Sequence, residues 1–143
     1  MDNILTAYVD GSYNVATGVY GYGCVMLLPE NEDAYEKLSG HGNDPDVARL
    51  RNVSGEMLGA MNAVKYAAEK GYGKLTIYYD YMGIEMWATG GWRCKNDYTR
   101  GYRDYMEKMK ARVEVTFKKV AAHTGDRFNE MADSLAKEAV GNT

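Results

Sequence analysis

The sequence predicts an α/β protein in which helices pack against a mixed β-sheet. Two observations lead there. Residues 1–43 alternate with a period of two, interrupted by glycines and without helical spacing. From Ser54 onward, stretches with apolar residues at helical spacing trade places with short β-rich runs. Three strands followed by strands alternating with helices is an order that builds a mixed sheet.

The opening strand is Leu5-Thr6-Ala7-Tyr8-Val9-Asp10, with Leu5, Ala7 and Val9 on one face and Thr6, Tyr8 and Asp10 on the other. Gly18 to Leu28 reads as a second strand. Its glycines, Gly18, Gly21 and Gly23, suit a hairpin better than a phosphate loop, because no helix pattern follows them. Tyr35 to Gly42 is expected to complete an antiparallel meander, with His41 an ordinary loop residue. Asn43 to Val53 is a polar connection. A helix is then expected from Ser54, with Met57, Ala60, Met61, Val64 and Ala68 on its apolar face and Gly71 ending it.

Lys74 to Tyr79 is a short strand, and Met82 to Thr89 a brief helix stopped by Gly90-Gly91. Thr99 is placed to cap a further helix reaching Lys110, and Val113 to Lys119 alternates as a strand. The last helix is expected from about Asn129, burying Ala132, Leu135, Ala136 and Ala139. Neither an internal repeat nor a low-complexity segment interrupts this order, so residues 1–143 are expected to form a single domain.

Composition narrows the functional classes. The chain of 143 residues is 45% hydrophobic and 26% charged, as globular proteins are, and should bury roughly 70% of its unfolded surface. No apolar run has the length of a membrane span. Cys24 and Cys94 are too few and too far apart for a disulfide scaffold or zinc knuckle, which favours a reducing, cytoplasmic setting. A net charge of −3 argues against a generally nucleic-acid-coating surface, but the charge is uneven. Glu30 to Asp46 holds six acidic residues against Lys37, while Arg93 to Lys119 holds nine basic residues against four acidic ones. The basic stretch is either a solvated helix face or a flank that follows phosphates.

Four carboxylates stand at the ends of these elements: Asp10, Glu56, Asp80 and Asp133. Each has an ordinary explanation. Asp10 with Gly11 could start a turn, Asp80 could cap a helix, and Glu56 and Asp133 would sit in the first turns of theirs, near the positive helix end. Glu56 and Asp133 also border apolar stripes, which turns both towards the sheet edge. If the strand bearing Asp80 lies beside the strand bearing Asp10, all four meet. Such a cluster cannot remain fully ionised without divalent cations. Oxygen-only donors, with no thiol or histidine cluster, select Mg²⁺ or Mn²⁺.

The motifs around these residues are Tyr8-Val9-Asp10-Gly11-Ser12, Asn52-Val53-Ser54-Gly55-Glu56, Ile77-Tyr78-Tyr79-Asp80, and the run from His123-Thr124-Gly125-Asp126 to Asn129 and Asp133. In this order and on these elements they resemble type 1 ribonuclease H, over about Leu5 to Val140. The stretch from Tyr79 to Glu85 and the long loop before Asn52 are similar to the bacterial branch often fused to a small N-terminal hybrid-binding domain. No part of this sequence corresponds to that domain.

The resemblance implies a ribonuclease H-like fold with a five-stranded mixed sheet, and an enzyme that cuts the RNA strand of RNA–DNA hybrids. It implies two ions, Mg²⁺ with Mn²⁺ as an alternative, held by Asp10, Glu56, Asp80 and Asp133, with Asp10 bridging them. An in-line displacement would leave a 5′-phosphate and a 3′-hydroxyl. His123 matches the family's mobile-loop histidine, thought to assist proton transfer and product departure. Gly11, Ser12, Asn52, Asn129 and the backbone from Ser54 to Glu56 are implied in substrate binding, including the sensing of the 2′-hydroxyl. Arg49 and Arg51 would hold a DNA phosphate, and Trp87 and Trp92 would line the DNA channel. The sequence departs from the family where Arg51 replaces a small hydroxyl residue, where Tyr81-Met82 replaces a polar pair, and where the basic handle shrinks to about Trp92 to Asn96. The partner expected is the hybrid itself, bound by a monomer with no membrane. Two alternatives stand beside the enzyme: a non-catalytic hybrid-binding module, and a related nuclease acting on another nucleic acid.

Overall fold

The computed structural model describes residues 3–31, 34–120 and 126–142. Its strands are β1 (Ile4–Asn14), β2 (Val19–Leu27), β3 (Tyr35–Gly42), β4 (Lys74–Tyr79) and β5 (Glu114–Lys119). They form one sheet in the order β3-β2-β1-β4-β5. β1, β2 and β3 run antiparallel in sequence, whereas β4 pairs in parallel with both β1 and β5. The helices are α1 (Asn52–Glu69), α2 (Gly83–Thr89), α3 (Asp97–Met109) and α4 (Arg127–Ala139), with a 3₁₀ turn at Val47–Leu50. The mixed α/β sheet predicted from the strand and helix order is the one observed. Among the described residues, no helix is long and apolar enough to cross a membrane.

The two faces of the sheet take different helices, and strand alternation explains which residues meet them. Leu5, Ala7, Val9, Tyr22, Cys24 and Met26 enter the main core with Met57, Ala60, Ala63, Val64 and Ala67 of α1. The opposite face of β2 meets α4: a side chain at Gly23 would strike the Ala132 carbonyl and the Leu135 Cβ. Thr6, Tyr8 and Asp10 of β1 share that second face and are half-buried, as the alternation predicted. Tyr8 stacks there on Tyr78 of β4, with ring centroids 4.6 Å apart.

Several boundaries differ from the sequence-based expectation. Helix α1 begins at Asn52 and α4 at Arg127, so Glu56 and Asp133 both lie beyond the first turn. The helix-end explanation for these two carboxylates is thereby weakened, since the dipole effect is confined to the terminal turn. Asp80 does not cap α2: Met82 holds that position, without a side-chain cap bond. Asn96, not Thr99, caps α3, its side chain accepting from the Thr99 amide at 2.9 Å. Asp126 caps α4 by accepting from the amides of Phe128 and Asn129. His41 is a strand residue opposite Gly21. Leu135 and Ala139 are only half-buried, while Ala132 and Ala136 are fully enclosed.

Helices α2 and α3 are tied by a buried bond from the Tyr102 hydroxyl to the Ile84 carbonyl, 2.6 Å long. Tyr102→Phe removes the donor of this buried bond, so it should destabilise the protein by about 1 kcal/mol in urea unfolding. A loss near zero would show that this bond contributes nothing net.

Candidate active site

The register of the parallel strands creates the site. β1 and β4 pair from Ile4 opposite Lys74 to Tyr8 opposite Tyr78, after which β4 soon ends while β1 continues to Asn14. Two residues past the last pair come Asp10 on one strand and Asp80 just beyond the other. Carboxylates just past the carboxyl end of a parallel strand pairing lie where sites in an open α/β sheet are usually found.

Glu56 arrives from α1, and close packing without side chains lets it in. A Cβ at Gly11 would lie 2.0 Å from the Asn52 carbonyl oxygen and 2.4 Å from the Glu56 amide. A Cβ at Gly55 would lie 1.8 Å from the Gly21 carbonyl oxygen. Glycine is thus required at both positions for the first turns of α1 to lie on β1 and β2. Glu56, only 2% exposed, accepts from the amide of Asp80 at 2.6 Å and from that of Tyr81 at 3.2 Å. This carboxylate therefore clamps α1 to the turn that carries Asp80.

Asp10 is half-buried and accepts from the Gly11 amide at 2.8 Å. Burial pushes its carboxyl up to about 7, against the lowering effect of that amide, and the neighbouring Asp133 and Asp80 push the same way. Asp133 is close enough to share a hydrogen bond with it. Burial, followed by the charges of Asp10 and Asp80, raises Glu56 to about 8 despite its two amide donors. Asp133 and Asp80 thus act on Asp10, and Asp10 and Asp80 act on Glu56. Among the described residues, however, no three His, Cys, Asp or Glu side chains are drawn tightly enough to cage a metal ion as they stand. Like charges disperse towards protein partners, Glu56 to the two amides and Asp133 to Lys137, whose Nζ is 2.9 Å away. The donor chemistry nevertheless fits a hard divalent cation: all four groups offer carboxylate oxygen, and two are held in a field that disfavours their ionised form.

The other predicted residues divide between this cluster and its surroundings. Gly11 and Ser12 continue β1 past Asp10, and Asn52 is exposed at the start of α1. Asn129 is half-buried in the first turn of α4. Arg49 and Arg51 line a surface cavity of about 460 Å³ with Tyr13, Thr17 and Asn43. Arg49 also pairs with Asp46 at 3.7 Å, and Arg51 lies over the Tyr13 ring, 5.8 Å from its centroid. Among the described residues Arg51 alone, glycines aside, has a positive φ, 55°, a strained backbone of the kind that clusters at ligand sites. His123 lies outside the described residues.

Trp87 and Trp92 are joined by Tyr81 in an edge-packed trio with centroids 5.7, 6.1 and 6.0 Å apart. The trio borders a cavity of about 520 Å³ that also receives Arg93, Lys95 and Asn96. Tyr81, Met82 and Trp92 are each 39% exposed, so the pair that departs from the family pattern lies at the surface beside Trp92. The basic stretch also divides. Arg100, Arg103 and Lys110 are engaged by Asp97, Asp104 and Glu107, as on a solvated helix, while Arg93 and Lys95 stay beside the aromatics. Sequence reasoning missed Tyr81 and Lys137. The i,i+4 spacing from Asp133 to Lys137 was a readable signal for the second.

Known proteins resemble this chain over nearly its whole length. The family described as RNase H matches residues 2–141. A ribonuclease H from Pseudoalteromonas translucida (strain TAC 125) is 30% identical over 152 residues, covering 99% of this chain and 93% of that protein. Two solved structures share the fold. Ribonuclease H1 from Halobacterium salinarum NRC-1 has a TM-score of 0.79 at 21% identity, covering 98% of this chain and 99% of that one. LC11-RNase H1, solved in complex with an RNA/DNA hybrid, has a TM-score of 0.76 at 17% identity, covering 96% of each chain. With its four carboxylates gathered at the β1–β4 end and this match along nearly its whole length, the chain belongs to the ribonuclease H family.

Proposed function

We propose that this chain carries out endonucleolytic hydrolysis of the RNA strand of RNA–DNA hybrids, with two divalent ions held by Asp10, Glu56, Asp80 and Asp133. The observation that supports the two-ion reading is the meeting of these carboxylates at one end of the sheet, Glu56 bonded to the Asp80 amide and Asp10 half-buried beside Asp133 and Asp80. Bound Mg²⁺ or Mn²⁺ would supply charge neutralisation at the scissile phosphate and a more acidic attacking water.

The chain's own residues divide the remaining work. Asp10, on the central strand, would supply carboxylate oxygen to the ions. Glu56 keeps the Asp80 turn fixed through the two amides, so one rigid unit presents both carboxylates. His123, by its place in the sequence, is assigned to proton transfer and product departure. The cavity at Arg49 and Arg51 suits a phosphate of the DNA strand, and the exposed edge of Trp92 suits packing on deoxyribose. Asn52, Asn129, Gly11 and Ser12 frame the path of the RNA strand.

A labelled comparison of hybrid, double-stranded RNA, double-stranded DNA and single-stranded RNA, with and without Mg²⁺, tests this. Mg²⁺-dependent cleavage confined to the RNA of the hybrid is expected. Hybrid binding with no cutting would favour the non-catalytic module, and cutting of another duplex the related nuclease. Trp92→Ala should raise KM about threefold to tenfold with kcat nearly unchanged, since stacking on nucleic acid contributes about 1 kcal/mol or more. A fall in kcat at constant KM would instead place Trp92 near the chemistry.

A further inference from the structure

Lys137 stands one turn after Asp133 on α4, its Nζ 2.9 Å from Asp133 Oδ2. The ion pairs Lys65–Glu69, Arg100–Asp97 and Lys110–Glu107 involve none of the four site carboxylates. The Lys137 pair does, and Asp10 adds to the field that Asp133 places on the ammonium. Both side chains are about half exposed, at 54% and 42%, a setting in which an ion pair adds little to stability. Its importance lies in its position, because a single positive charge on a flexible stem occupies an oxygen that a divalent ion would need.

We propose that Lys137 is an internal counter-cation of the carboxylate cluster, a positioning residue that holds Asp133 and competes with divalent ions for it. This rests on the two-ion reading above. In the substrate-free protein the ammonium offsets part of the clustered negative charge and steadies the Asp133 rotamer. When a divalent ion takes Asp133, the ammonium must swing aside, and its half-exposed stem gives it room to do so. Lys137 thereby lowers the affinity of the free enzyme for cations.

The test is calorimetric titration of Mn²⁺ into substrate-free wild type, Lys137→Met, Lys137→Gln and Lys137→Arg, with folding checked by circular dichroism. Removing a positive charge a few ångströms from the ion should tighten Mn²⁺ binding about fivefold in the Met and Gln variants. The gain should shrink as KCl is raised. Lys137→Arg keeps the charge and should bind within about twofold of wild type. Without divalent ions, the Met and Gln variants should unfold at lower temperature than wild type, and saturating Mn²⁺ should raise their midpoints by more. Unchanged or weaker Mn²⁺ binding in folded Met and Gln variants, with wild type binding normally, would overturn the role of Lys137 alone. A wild type that binds no Mn²⁺ would overturn the two-ion reading and this inference together.

Discussion

Asp10→Asn is expected to abolish Mg²⁺-dependent cleavage and, in protein stripped of divalent ions, to raise the thermal unfolding midpoint at pH 8. The two effects share one cause. In the folded chain the Asp10 carboxyl is pushed up from 3.8 to about 7, chiefly by burial and then by Asp133 and Asp80. Between those values the native state binds more protons than the unfolded state, so stability is greatest at low pH and falls as pH rises through the window. Glu56, raised from 4.5 to about 8, acts in the same direction over a slightly higher range.

Asparagine has nearly the same volume and no charge, so above pH 7 it relieves the cost of burying a charge and the smaller repulsion from Asp133 and Asp80, while removing an oxygen needed for cation binding. A gain of about 2 kcal/mol is the expected order of magnitude, well below the full value of the shift because Asp10 keeps partial contact with solvent. The checks are a cleavage assay and unfolding curves at pH 5 and pH 8 in EDTA. A variant that still cuts with Mg²⁺ would remove Asp10 from the chemistry. A variant no more stable than wild type at pH 8 would show that the ionised Asp10 carboxylate is not disfavoured by its burial and its neighbours.

Gly55→Ala should be among the most damaging additions of a single methyl group at the described glycines. Its Cβ would lie 1.8 Å from the Gly21 carbonyl oxygen, a backbone atom that can yield only if α1 lifts from β2. A loss of about 3 kcal/mol or more is expected, the upper end of overpacking penalties. Whatever protein still folds should cut poorly, because lifting α1 withdraws Glu56 from the Asp80 and Tyr81 amides. Gly101→Ala provides the contrast. That glycine sits in the interior of α3 with nothing near its hypothetical Cβ, so alanine there should add about 0.5–1 kcal/mol through helix propensity. Urea unfolding of the two variants side by side checks the opposed signs. Equal effects would show that the α1–β2 contact is not what places Glu56.

The residues that build the site were mostly visible before the fold was known, and the reason is chemical. A carboxylate at the end of an alternating strand, as at Asp10, has an ordinary explanation alone, but three others at element ends within matching motifs gave it company. The alternation of Leu5, Ala7 and Val9 with Thr6, Tyr8 and Asp10 also assigned the two faces of β1 correctly. Element ends were harder. Thr99 was the expected cap of α3, yet Asn96 fills that position. Both residue types are good caps, and three residues of sequence do not distinguish them.

Local pattern, carried by alternation and helical spacing, was enough to establish the α/β class and the order of the elements, while the four acidic residues stood out as a set only through their motifs and the family resemblance those motifs carry. Bringing Asp10 beside Asp80, seating Glu56 on the amides that follow β4, turning Asp133 to Lys137 and assembling Tyr81 with Trp87 and Trp92 all depended on the folded chain. Strand register and the close approach of α1 at Gly11 and Gly55 are set by contacts between segments tens of residues apart. Such contacts leave no periodic trace in any one segment, because their energy exists only once the distant surfaces meet.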